Sequence, residues 1–128
     1  MRFPLALAAA LPLLSVSRVE AQKPAVVDVQ LANYKFTPKT IILDHGQPYL
    51  LRLTNAAGGG HDFTAPKFFA AAAVVPEDRR LVAEGEIEVP PGQSREIRLT
   101  APAAGSYDLK CSHSFHRLFG MSGKIVVR

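Results

Sequence analysis

Lys110-Cys111-Ser112-His113-Ser114-Phe115-His116-Arg117-Leu118-Phe119-Gly120-Met121-Ser122-Gly123 joins two strand-like runs, Ser106-Tyr107-Asp108-Leu109 before it and Lys124-Ile125-Val126-Val127 after it. It holds the chain's only cysteine, two of its four histidines and one of its two methionines, the other being Met1. A thiolate, an imidazole and a thioether on one short connection offer three soft or borderline donors to a single metal ion, a set that suits copper. His116 follows Cys111 by five residues and Met121 follows His116 by five. Phe115, Leu118, Phe119 and Gly120 make the connection apolar and compact, which predicts a poorly hydrated site near one end of the fold.

The segments around this loop read as short strands. Tyr107, Leu109 and Cys111 fall on one face of the preceding run, because alternate side chains of a strand point the same way, so Cys111 is predicted to point where the core points. Val27, Val29 and Leu31 share a face in Val26-Val27-Asp28-Val29-Gln30-Leu31, and 34–37 is expected to continue that strand past an irregularity at Ala32-Asn33. Thr40-Ile41-Ile42-Leu43 and Tyr49-Leu50-Leu51-Arg52-Leu53-Thr54-Asn55 follow as strands. Gly85-Glu86-Ile87-Glu88-Val89 and Arg95-Glu96-Ile97-Arg98-Leu99 alternate polar with apolar as half-buried strands do. Residues 68–75, with four consecutive alanines, form the one stretch of good helix propensity, and 76–80 reads as a solvated connection. Many short strands between Gly/Pro turns, without repeated helix-strand units, predict one all-β domain, an antiparallel sandwich with a short helical insertion.

A fourth donor is available from a distant segment. Gly58-Gly59-Gly60 lets the backbone turn freely and delivers His61 to the head of another short strand, fifty residues before Cys111. Two imidazoles, a thiolate and a weak thioether make a compromise geometry that fits both oxidation states of copper, as rapid one-electron exchange requires. Zinc competes for Cys and His, but the thioether and the lack of closely spaced ligand pairs argue against it. His45, in Asp44-His45-Gly46-Gln47, is a surface turn residue.

The chain has 128 residues and a net charge of +4. Arg2, the apolar run from Phe3 to Leu14 and the small-x-small triplet Val19-Glu20-Ala21 read as a secretory signal over residues 1–21. Pro4 and Pro12 interrupt the run, and it is shorter than the ~20 residues of a membrane span. Removal of those 21 residues leaves a mature chain of 107, residues 22–128, with 13 basic and 10 acidic side chains. No span is expected in that chain, which would be periplasmic or secreted and act as a monomer. Its Lys and Arg are scattered rather than clustered, which excludes nucleic acid and leaves a mildly basic surface able to meet an acidic partner. A lone cysteine in an oxidising compartment has no internal disulfide partner, and with His116 and Met121 beside it a metal thiolate is the reading that protects it.

On these residues the sequence resembles the cupredoxins, the small blue-copper family. The C-x4-H-x4-M loop, running through Gly120-Met121-Ser122-Gly123 into an apolar last strand, is similar to the rusticyanin-type ligand loop, and the upstream asparagine-then-histidine stretch resembles the family's first-ligand region. The resemblance implies a Greek-key β-sandwich of seven or eight strands holding one copper ion. His61, Cys111 and His116 would be its equatorial ligands and Met121 its axial one. Two departures stand out. His113 leaves on the side of Cys111 and is a further candidate donor, and Asp62 directly follows the first histidine, where it is expected to face solvent.

The implied function is exported single-copper electron transfer without substrate turnover, with a redox protein as partner. Electrons would pass through the edge of His116, and Phe115, Leu118 and Phe119 would form a docking patch, at least one of them packing in the core. The alternative is a copper-handling protein that accepts and donates Cu(I) through the same donors. A copper enzyme is disfavoured because His45 and His113 are too few for a second centre, and a serine hydrolase because no serine stands in a nucleophile-elbow context.

Overall fold

The computed structural model describes residues 1, 12, 14–18, 22–113, 115 and 118–128. The leader expected over 1–21 therefore falls mostly outside the described residues. Among those described, ten strands form two five-stranded sheets. The strands are β1 (Ala25–Ala32), β2 (Lys35–Thr37), β3 (Thr40–Leu43), β4 (Pro48–Asn55), β5 (His61–Thr64), β6 (Ala73–Val74), β7 (Glu86–Val89), β8 (Ser94–Thr100), β9 (Gly105–Lys110) and β10 (Ser122–Val127). One sheet runs β2-β1-β4-β8-β6 and the other β3-β10-β9-β5-β7.

The sandwich is not wholly antiparallel. β1 pairs with β4 in parallel, Val29 opposite Leu53, and β10 pairs with β3 in parallel, Ile125 opposite Ile41. Parallel neighbours need a crossover rather than a hairpin, and here the crossovers carry the chain from one sheet to the other. Alternation does set the core: Val29, Leu31, Leu53, Ile97, Leu109 and Ile125 face inward and are almost fully buried. Phe63 crosses between the layers, edge-on to Phe36 and Phe69.

Two local expectations are corrected. Residues 34–37 do not prolong β1. The chain reverses at Asn33-Tyr34, Tyr34 takes a φ of 68°, and β2 returns antiparallel to β1 with Leu31 opposite Phe36. Tyr34 thus takes the left-handed region, in which a strand cannot continue. The helix α1 spans Pro66–Ala71 rather than 68–75. Pro66 opens it, since a proline at the first helical position lacks only an N–H that would have no helical partner. Phe68 and Phe69 anchor it to the core. It ends halfway through the alanines because Ala73 and Val74 are taken up as an edge strand on β8, a pairing that overrides alanine propensity.

The connection after β6 is ordered. Pro76–Leu81 forms a 3-10 helix, and Asp78 accepts from the Arg98 backbone N–H at 2.9 Å and from its guanidinium at 3.0 and 3.2 Å. Further on, Ala65 N–H donates to Gly85 O at 3.0 Å, tying the head of α1 to the turn before β7. Gly85 has a φ of 79°, and a Cβ there would run into the Pro66 backbone, so both conformation and space demand glycine.

Candidate metal centre

β5 and the end of β9 meet at the same end of the second sheet, with Thr64 opposite Lys110. That register places His61-Asp62 alongside Cys111-Ser112-His113. Cys111 N–H donates to Met121 O at 3.1 Å, so the ligand loop leaves and re-enters the sheet at a closed neck. Asp62 N–H points at Cys111 Sγ across 3.5 Å. His61, Cys111 and Met121 are all completely buried. Three of the four residues singled out from sequence thus sit within one neighbourhood of β5, the end of β9 and the start of β10. His116, the fourth, lies outside the described residues.

Burial pushes the Cys111 thiol up from its ordinary value, against the backbone amides of Asp62 and His113, which favour the thiolate. A buried thiol of this kind is inert until a cation or base takes its proton.

Asp62 does not face solvent. It is fully buried, and its carboxylate accepts from Ser112 N–H at 2.8 Å, from Ser112 Oγ and from Thr64 Oγ at 2.7 Å. A carboxylate is rarely buried unless so paired, and here it fastens the residue after Cys111 to β5. His113, whose side chain is 37% exposed, lies with Nε2 at 3.2 Å from both Glu88 oxygens and 3.6 Å from Asp62 Oδ2. One donor atom each from Asp62, Cys111 and His113 falls within 4.8 Å of the others, as do carboxylate oxygens of Asp62, Glu86 and Glu88. Burial, and next the Asp62 charge, push the Glu86 carboxyl above the usual carboxylate range.

Asn55 holds the other approach. It is fully buried, its Nδ2 donates to Gly59 O at 2.8 Å and Val89 O at 2.9 Å, and its Oδ1 accepts from Ala57 N–H at 2.9 Å. The glycine run is thereby clipped to β7 just before His61. Sequence reading assigned no such role to Asn55, Ser112 or Glu88. The Glu86/Glu88 alternation marked an outward face of β7, but not that this face meets Asp62 and His113.

Three apolar side chains of the loop point outward: Phe115 is 73% exposed, Leu118 77% and Phe119 60%, so none of the three packs in the core. Phe119 instead meets the ring of Tyr34 with centroids 4.7 Å apart. On the outer face of the second sheet, a groove of about 480 Å³ passes Thr64, Lys67, Asp108, Lys110 and Lys124. Lys124 bonds Asp108, and Lys67 and Lys110 stand near the same carboxylate.

A two-sheet sandwich with a loop at one end that runs from a buried Cys to a buried Met is the architecture of the small copper-protein domains. The Cupredoxin-like domain model matches residues 4–127, and the chain belongs to that family. Among solved structures it is similar to the dithionite-reduced auracyanin of Roseiflexus castenholzii, with 19% identity and a TM-score of 0.60 over 84% of this chain and 99% of that one. It is also similar to auracyanin A of Chloroflexus aurantiacus, a "blue" copper protein, with 21% identity and a TM-score of 0.56 over 83% of this chain and all of that one. The multicopper oxidase of Campylobacter jejuni shares the fold at 12% identity and a TM-score of 0.62, over 86% of this chain but 31% of the oxidase. Among curated proteins, none matches this chain in sequence. Among the described residues, no helix is long and apolar enough to cross a membrane.

Proposed function

We propose that this chain is an exported single-copper electron-transfer protein, with residues 1–21 a cleaved leader and 22–128 the working domain. His61, Cys111, His116 and Met121 would hold the ion. The observation that carries the reading is the joint burial of His61, Cys111 and Met121 at the closed neck between Cys111 N–H and Met121 O. Their donor chemistry, one imidazole, one sulfur that binds as thiolate and one thioether, fits copper better than zinc. When bound, copper supplies one-electron exchange between its cuprous and cupric states.

The chain's own residues contribute rigidity and dryness. Asp62 locks Ser112 beside the sulfur, Asp62 N–H faces Sγ, and Asn55 fixes the loop that delivers His61. Donors held this firmly rearrange little when the charge on the ion changes. In this reading the protein is a carrier rather than an enzyme. Phe115, Leu118 and Phe119 would be the apolar surface met by a redox protein, and the Lys67, Lys110 and Lys124 groove favours a partner of acidic character.

Copper handling is the second reading, favoured by the additional donors Asp62 and His113 near the sulfur. Voltammetry of the copper-loaded protein separates the two. Rapid, reversible one-electron exchange is expected of the carrier, whereas tight Cu(I) retention with sluggish, irreversible waves would replace it with the handling role.

A further inference from the structure

We infer that Glu88 and His113, backed by Asp62, form a receiving site at which a copper ion is first held on its way from solvent to the Cys111 sulfur. The inference rests on the copper reading above and concerns how the ion arrives rather than where it comes to rest.

The donors lie at graded depth. The Glu88 side chain is 50% exposed, the His113 ring 37%, and Asp62 and Cys111 are fully buried. They are also continuous, since His113 Nε2 reaches both Glu88 oxygens at 3.2 Å and Asp62 Oδ2 at 3.6 Å, and Asp62, Cys111 and His113 offer donor atoms within 4.8 Å of one another. Carboxylate and imidazole at the outer end suit a hydrated divalent ion, and the sulfur at the inner end holds copper more firmly, so affinity rises inward. Glu86, whose carboxylate lies within 4.8 Å of those of Asp62 and Glu88, adds negative charge that draws a cation to this spot. Gly60 leaves the space behind the outer pair. A Cβ there would stand 3.0 Å from Glu88 Oε1 and 3.6 Å from His113 Cε1, where the two side chains must part around an ion.

The handover is a ligand exchange at constant oxidation state. Bonds from Cu(II) to Glu88 oxygen and His113 nitrogen break, a bond to Cys111 sulfur forms, and the thiol proton leaves to solvent.

Stopped-flow mixing of the metal-free full chain with Cu(II), followed at the thiolate-to-copper absorption, tests this. In Glu88→Gln and in His113→Gln the rise should slow about tenfold or more while its final amplitude matches wild type. Glu96→Gln, which changes an exposed carboxylate on the other sheet, should load at the wild-type rate. Unchanged rates in both receiving-site variants would overturn the inference. So would loss of final amplitude in His113→Gln, since His113 would then be a resident ligand. Glu88 is half exposed, so its variant decides the matter even if His113→Gln does not fold.

A readout that needs no visible band is paramagnetic broadening of amide NMR signals by substoichiometric Cu(II) in Cys111→Ser. Broadening centred on Gly60, Glu88 and His113 is expected, and broadening that spares them would overturn the inference. If wild type develops no visible band, the carrier reading fails by itself, and the broadening experiment still decides the receiving site.

Discussion

Asp62 shows how a single residue escapes a sequence reading. A carboxylate after the first histidine was expected at the surface, because isolated carboxylates are seldom buried. Its partner Ser112 is fifty residues away along the chain, so nothing local announces the bonds that make burial tolerable. Asp62→Ala would leave the part-buried Ser112 N–H without its acceptor, at a cost of roughly 1–3 kcal/mol. A lower urea midpoint with unchanged slope is the expected observation. The burial of Cys111, by contrast, was legible, because strand alternation in the run before the loop depends on neighbouring residues alone.

Glu86 makes a prediction of a different kind. Its folded-state pKa is raised by burial and by the Asp62 charge, so the protonated form is favoured by folding. The stability it contributes is complete below the ordinary carboxylate pKa and is lost as pH rises through the raised, folded value. Glu86→Gln should therefore match wild type in acid and exceed it at neutral pH. Parallel melting temperatures of the two proteins across that range would contradict the assignment.

At the scale of elements, the period-2 pattern located β3, β4, β7, β8 and β9 because each of these strands has one buried face. The pattern failed where pairing rather than propensity decides. The turn at Asn33-Tyr34 makes β2 a hairpin partner of β1, and β8 recruits Ala73-Val74 out of the alanine run. The parallel β1/β4 and β3/β10 pairings were also beyond reach, since alternation reports a buried face and not the direction of a neighbour. The loop that delivers His61 depends on Asn55, whose amide makes three bonds across two elements. Asn55→Ala is expected to destabilise the fold by roughly 1–3 kcal/mol, since partners such as Val89 O lose their donor. Chemical denaturation measures that loss, and amide exchange should rise at Ala57 and in β7. A variant with wild-type stability and exchange would remove Asn55 from this role.

At the scale of the whole molecule, Cys111 and Met121 belong to the same buried cluster as Phe63, Leu53, Ile97 and Ile125, a core built mostly from strand residues that need no ion to pack. The metal-free protein is therefore expected to unfold cooperatively, and bound copper to raise the melting temperature by mass action, since only the folded state assembles the donors. A metal-free chain without a cooperative transition would make the centre a structural one. The outward turn of Phe115, Leu118 and Phe119 belongs to this scale as well. At least one of the three was expected to pack in the core, yet the sandwich is already filled by residues of the strands, which leaves these three side chains outside.

The convergence of His61, Cys111, His116 and Met121 on one ion is tested most directly by optical titration of the metal-free protein with Cu(II), beside Cys111→Ser. Wild type should develop an intense thiolate-to-copper band that saturates at one ion per chain, and the folded variant should show none. A wild-type protein that binds Cu(II) without that band, or a Cys111→Ser protein that keeps it, would contradict the account.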